Sequence, residues 1–317
     1  MANLLDRSSL VLTPTAYNNG EALCIKPDDG SGDFQFSRNS AATRVNAQGL
    51  VENVQILSSN LVQNGDFSEE GAEEVSNGSF TNGSTDWTLG GEVTIGDNLA
   101  HFESNTNTYS YIRQDIGSLT SKTYKIQLEV KNYVSGAVQV GFSGAGSIIQ
   151  NLNVSTDGVY TAYLTPNANG DDFNVSREFN GGNFNFDITN ISVKEVDPND
   201  YWTLGTGWSI GDDVAVAVSG TSSKLTQSIS GLSGKKCSVT FTLSNYGGNG
   251  TIKLDFGSVV GQNINANGTY TEVGTYDIDR LEFFKNSSFS GSITNISIIE
   301  ITDDTNLPRI NYEGFSY

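Results

Sequence analysis

The chain is 317 residues long, 36% hydrophobic and 17% charged, with 35 glycines, 5 prolines and a formal charge of −19 at pH 7. So acidic a balance excludes capture of nucleic acid or an anionic membrane through basic patches. No stretch approaches the roughly 20 apolar residues that cross a bilayer as a helix, and two cysteines, Cys24 and Cys237, cannot assemble a cysteine-ligated zinc site.

The N-terminus, "MANLLDRSSLVLTPTAYNNG", lacks the basic start and continuous apolar run of a secretory signal. After it comes "FQFSRNSAATRVNAQGLVENV", Phe34 to Val54, which has no second copy in the chain. Repetition starts beyond residue 60. "NGDF" at Asn64 is echoed by "NGSF" at Asn77, and "WTLGGEVTIGD" from Trp87 returns as "WTLGTGWSIGD" from Trp202. "RQDIGSLTSKTYKIQLEVKNY" from Arg113 aligns with "TQSISGLSGKKCSVTFTLSNY" from Thr226, and "DITNISVKEV" from Asp187 with "SITNISIIEI" from Ser292. A repeat of this length is a duplicated domain rather than a solenoid unit.

Within each copy the hydrophobic period is two. Tyr124, Ile126, Leu128 and Val130 alternate with polar residues, as do Val138, Val140 and Phe142, then Val239, Phe241 and Leu243, then Ile252, Leu254 and Phe256. That pattern predicts strands with one buried and one wet face, separated by Gly- and Asn-rich turns at sandwich spacing. The last strand of each copy breaks phase: Ile188 is followed by Ile191, and Ile293 by Ile296. A bulge there would restore the inward facing.

Catalytic chemistry finds little purchase. The single histidine, His101, has no nucleophile in a recognisable context, and acidic pairs such as Asp171-Asp172 and Asp212-Asp213 sit in turn-rich segments. Aromatic residues are the better route to a binding site, since flat rings pack against the C–H faces of sugars. Trp87 and Trp202 are equivalent, as are Tyr133 and Tyr246, which assigns them to packing. Tyr109, Tyr111 and Trp208 have no aromatic counterpart, and Tyr109, Tyr111 and Arg113 alternate with Ile112 and therefore face outward. Tyr109, Tyr111, Arg113 and Trp208 are the glycan-binding candidates.

The start "VSNGSF" at Val75, the tryptophan that follows, the strand rhythm and the closing "ITNISVKEV" resemble the jelly rolls of carbohydrate-binding modules over most of residues 60–302. The resemblance implies sandwiches of eight to ten strands, glycan binding on a concave face in some members, and a structural calcium near the first and last strands. Asp187 matches the acidic ligand position; Ser292 takes its place in the second copy, so calcium is expected in the first copy only. Separately, Arg38, Ser40, Ala42, Thr43, Asn46, Gly49 and Leu50, with Asn306, Pro308, Arg309 and Tyr312, resemble a two-part motif of tailed-bacteriophage virion proteins. Asn311 departs from it, standing where Asp is commoner, and the two halves lie unusually far apart.

The expectation is an all-β chain: two tandem jelly-roll sandwiches, residues 60–197 and 198–302, on an extended N-terminal scaffold or anchor, residues 1–59, with a return segment at 303–317. Its expected role is that of a non-enzymatic virion structural protein, a tail appendage, fibre or capsid decoration. The expected partners are other virion proteins, further copies of the chain (a trimer if a fibre) and a host-surface glycan; a secreted or cell-surface polysaccharide-binding protein is the alternative. If the modules are an insertion, the chain near Ser59 and the chain near Asn306 should lie side by side.

Overall fold

The computed structural model describes residues 11–303 apart from 19–20, 27–33, 36–41, 46–50, 55, 107, 120–121, 145–147, 167–169 and 179–181. All of its regular structure is β. Strands β1 (Val11–Asn18), β2 (Glu21–Lys26) and β3 (Phe34–Gln35) form one antiparallel sheet, and β4 (Ala42–Val45) pairs with β5 (Val51–Val54). Strand β6 (Ile56–Asn60) follows.

The first repeat holds β7 (Glu70–Glu73), β8 (Thr88–Gly90), β9 (Val93–Gly96), β10 (Leu99–Ser104), β11 (Tyr111–Leu119) and β12 (Tyr124–Ser135). It continues with β13 (Val138–Gly144), β14 (Ile148–Leu152), β15 (Gly158–Leu164), β16 (Gly170–Arg177) and β17 (Phe184–Val196). The second repeat runs through β18 (Trp202–Leu204), β19 (Trp208–Gly211), β20 (Val214–Ala217), β21 (Ser223–Ser228) and β22 (Lys236–Ser244). Its remaining strands are β23 (Ile252–Asp255), β24 (Gly268–Thr275), β25 (Arg280–Lys285) and β26 (Gly291–Asp303).

Strand order is duplicated. One sheet of the first repeat runs β15-β12-β17-β10-β9 with β7 beside β17; its counterpart runs β24-β22-β26-β20-β19 with β6 beside β26. The facing sheets run β14-β13-β16-β11-β8 and β23-β25-β21-β18. Two isolated bridges, Ile252 to Ile264 and Asp255 to Val260, stand where β14 would be. These are two jelly-roll sandwiches, as the alternation predicts.

By Cα packing the described residues separate into two compact units, one within residues 66–218 with 291–294 and the other built around residues 219–290. In the first unit the inward residues of β12 and β13, from Tyr124 to Phe142, are buried, and Phe142 meets Phe173 at 5.9 Å. In the second, Cys237, Val239, Phe241 and Leu243 of β22 are buried, and Phe241 meets Phe283 edge-on at 4.9 Å. Each such side chain contributes about 1.5–3 kcal/mol on leaving water. Cys237 packs as a small hydrophobe, and burial pushes its thiol up to about 11.

The phase break in the last strands is a bulge. Between Gln127–Ser192 and Glu129–Thr189, two steps along β12 face three along β17. Asn190 takes the extra turn at φ 50°, and Asn295 does the same in β26 at φ 52°. Asparagine tolerates this left-handed conformation better than most residues.

Two short hooks, residues 63–67 and 76–80, show which sheet each serves. Ile191 donates its N–H to the carbonyl of Gly78 at 3.0 Å, and Ile296 to that of Gly65 at 2.9 Å. A Cβ on either glycine would collide with the isoleucine carbonyl, so only glycine fits. The side chain of Gln114 accepts from the N–H of Ser76 at 2.7 Å and donates to its carbonyl at 2.9 Å; Gln227 does both to Gln63 at 2.8 Å. Residues 60–65, expected in the first module, therefore run along β26 instead: Asn60 pairs with Ile299, and Leu61 donates to the carbonyl of Ile298 at 2.9 Å. The linear reading failed because β-pairing is set by the partner strand, and chain order does not reveal it.

The same ladder bears on the return of the chain. Ile56 pairs with Asp303 and Leu57 with Ile301, so the stretch leading to Ser59 runs antiparallel beside the end of β26. Asn306, Pro308, Arg309 and Tyr312 lie outside the described residues.

Candidate functional site

Strand β11 positions the outward row. Ile112 and Gln114 are buried, so the alternate residues Tyr111 and Arg113 point away from the core. Tyr109, just ahead of the strand, is 37% exposed and lies 5.5 Å from Tyr111 between ring centroids, at 36°. The Arg113 guanidinium stands 5.8 Å from the Tyr111 centroid, and its Nη1 is 3.5 Å from Asp172 Oδ2. Cation–π contact and ion pair together restrain the end of the row.

Why the ring lies flat is legible in β8. Gly90 pairs with Tyr111, and a Cβ there would overlap the Tyr111 ring. Across the sheet Arg113 faces Asn174 of β16, and Asn174 faces Gly141 of β13. Two rings, a guanidinium and small polar neighbours thus share one side of a sheet. Such a surface can stack a sugar ring and donate hydrogen bonds to its hydroxyls.

Trp208 does not belong to this row. It is 7% exposed and, with Ile210, alternates inward in β19, at the place that buried Val93 occupies in β9. Lack of an aromatic counterpart singled it out; strand phase puts it in the core. Trp87 and Trp202 behave as packing residues: Phe80 meets Trp87 at 5.5 Å and Phe67 meets Trp202 at 4.9 Å. Tyr133 and Tyr246 tie their hydroxyls to the carbonyls of Gly136 and Gly250, both at 2.9 Å.

Asp187, the implied calcium ligand, is already engaged. Its Oδ1 lies 2.7 Å from His101 Nδ1 across the β10–β17 ladder, and its Oδ2 accepts from Asn132 Nδ2 at 2.6 Å. His101 Nε2 lies 3.2 Å from the carbonyl of Gly96. Among the described residues no group of three or more His, Cys, Asp or Glu side chains is placed to hold a metal ion. The side chains around Asp187 do not fit a calcium site. His101 has its ring occupied on both sides, with no nucleophile in the arrangement.

The sequence matches no protein-family model and no curated protein. Among solved structures, the tandem CBM22-1–CBM22-2 domain of Paenibacillus barcinonensis Xyn10C is similar at 10% identity and a TM-score of 0.35, over 74% of this chain and 99% of that one. The tandem CBM51 modules of Sp3GH98 from Streptococcus pneumoniae match at 10% identity and a TM-score of 0.23, over 78% of this chain and 97% of that one. The enzymatically active domain of tailspike protein 4 of bacteriophage CBA120 matches at 19% identity and a TM-score of 0.32; 39% of this chain aligns with only 21% of that one.

Proposed function

We propose that the chain is a non-enzymatic structural protein of a phage virion, a tail appendage, fibre or capsid decoration, that presents a saccharide-binding surface through two nested jelly rolls. The observation that carries the binding part is the outward Tyr109–Tyr111–Arg113 row, held flat by Gly90 on the solvent side of a sandwich. The virion part rests on the split motif of residues 38–50 and 306–312.

The nesting follows the hooks. In this reading, which follows strand pairing rather than Cα packing, residues 56–67 and 202–303 make one module, and residues 70–197 make another, inserted between its first and second strands. The pairing of Ile56 with Asp303 supports a further level: the chain leaves and rejoins the scaffold at neighbouring points, as an insertion requires. Partners would be other virion proteins, further copies of this chain (a trimer in a fibre) and a glycan on the host surface.

A secreted or cell-surface polysaccharide-binding protein would use the same row. A mass-spectrometric census of purified particles separates the two readings: stoichiometric presence supports the virion role. Absence from particles, with the chain recovered from the medium or cell envelope, favours the alternative.

A further inference from the structure

In the second repeat no ring stands where Tyr111 stands in the first. Gln114 and Gln227 fix the register, since each grips its own hook through the same pair of hydrogen bonds. Three residues before Gln227, the counterpart of Tyr111 is Lys224. Beside it opens a cavity of about 350 Å³, lined in part by Lys224, Asp255, Ser258, Asp277, Arg280 and Glu282.

The cavity is braced from beneath. Glu282, on the central strand β25, is only 3% exposed and pairs across the sheet with Thr226 and Asp255. It accepts from Lys224 Nζ at 2.6 Å and from Arg280 Nε. Lys224 also reaches Asp255 at 3.3 Å, and Asp255 accepts the N–H of Gly257 at 2.9 Å. Asp277 holds the opposite wall through the N–H of Ser258 at 2.9 Å and the Ser258 hydroxyl. Gly257 sits at φ 105°, and a Cβ there would strike Asp277 Oδ1, so this wall also requires glycine.

Donors and acceptors consequently alternate around the opening, fixed in place, while the side chains of Lys224 and Arg280 stay 39% and 50% exposed. A hydroxyl can donate to a carboxylate and accept from an ammonium or guanidinium at once. Adjacent ring hydroxyls of a sugar offer that pairing twice over. The volume sits near the lower end of the range of about 300–1,000 Å³ for ligand pockets, enough for a short saccharide. Three carboxylates face two cations in a chain of charge −19, which disfavours acidic sugars.

We propose that this cavity is a second saccharide site, which grips a neutral sugar by its hydroxyls without an aromatic platform. It shares with the proposed function the premise that the chain binds saccharides, but not the residues. The test is titration of the intact chain with neutral hexose oligomers and matching uronic-acid oligomers, using wild type, Y109A/Y111A and D277N/R280A. Both variants alter half-exposed surface groups, and their melting curves report folding. Y109A/Y111A should keep one class of neutral-sugar site. D277N/R280A should weaken that class about tenfold or more, a loss of about 1.4 kcal/mol, and uronic-acid oligomers should bind it more weakly than neutral ones. Loss of all binding in Y109A/Y111A overturns the second site and leaves the tyrosine site standing. Loss of all binding in D277N/R280A supports the cavity and removes the tyrosine site. No binding by folded wild type overturns both.

Discussion

The N–H of Ile296 donates to the carbonyl of Gly65 at 2.9 Å, although the whole first sandwich lies between them in the chain. Ile191 and Gly78 repeat the contact within the first sandwich. Each glycine has no room for a Cβ. Gly65→Ala should therefore lower the unfolding transition of the unit containing residues 219–290, and Gly78→Ala that of the unit around residues 70–197. Overpacking of this kind costs about 1–3 kcal/mol. Limited proteolysis during thermal melts, with the fragments identified, assigns each loss to its unit. A linear tandem would instead show both losses in the first sandwich.

Chelation makes a second case. Both oxygens of Asp187 are engaged by His101 and Asn132. Melting curves with excess chelator and with added calcium should therefore coincide, whereas a melting temperature that rises with calcium would restore the metal role.

Burial also predicts a pH dependence. Lys285 is fully buried with its Nζ donating to the carbonyl of Thr221 at 2.8 Å, and burial pushes its ammonium below the ordinary 10.5. Arg177 occupies the matching place in the first repeat, with Nε on the carbonyl of Thr108 at 2.8 Å. Between its lowered value and 10.5, the folded chain binds fewer protons at Lys285 than the unfolded chain, so this group makes stability rise with pH across that window. Lys285→Met should abolish the contribution and flatten the alkaline rise in stability. Denaturant titrations of both proteins at several alkaline pH values measure the difference in slope.

Much of the fold was legible because alternation is local. Tyr124, Ile126, Leu128 and Val130 all face the core, and the phase break at Ile188–Ile191 became the Asn190 bulge. Tyr111 and Arg113 could be read as outward from their alternation with Ile112. Long-range facts were not legible: nothing in "NGDF" says that it serves a sheet completed more than two hundred residues later. Trp208 lacks an aromatic counterpart, yet its alternation with Ile210 places it in the core. The cavity at Lys224 was missed because charged residues on a strand look like any solvated face until Glu282 is found buried beneath them.

The most direct measurement is glycan-array binding by wild type and Y109A/Y111A, with melting curves of both. The Tyr109 and Tyr111 rings lie on the solvent side of β11, so their removal should leave the melting temperature nearly unchanged. Saturable binding to a defined set of glycans is expected, with the members that depend on the tyrosines weakened about tenfold or more in the variant. Absence of saturable binding by folded wild type, or identical binding by the two proteins, would contradict it.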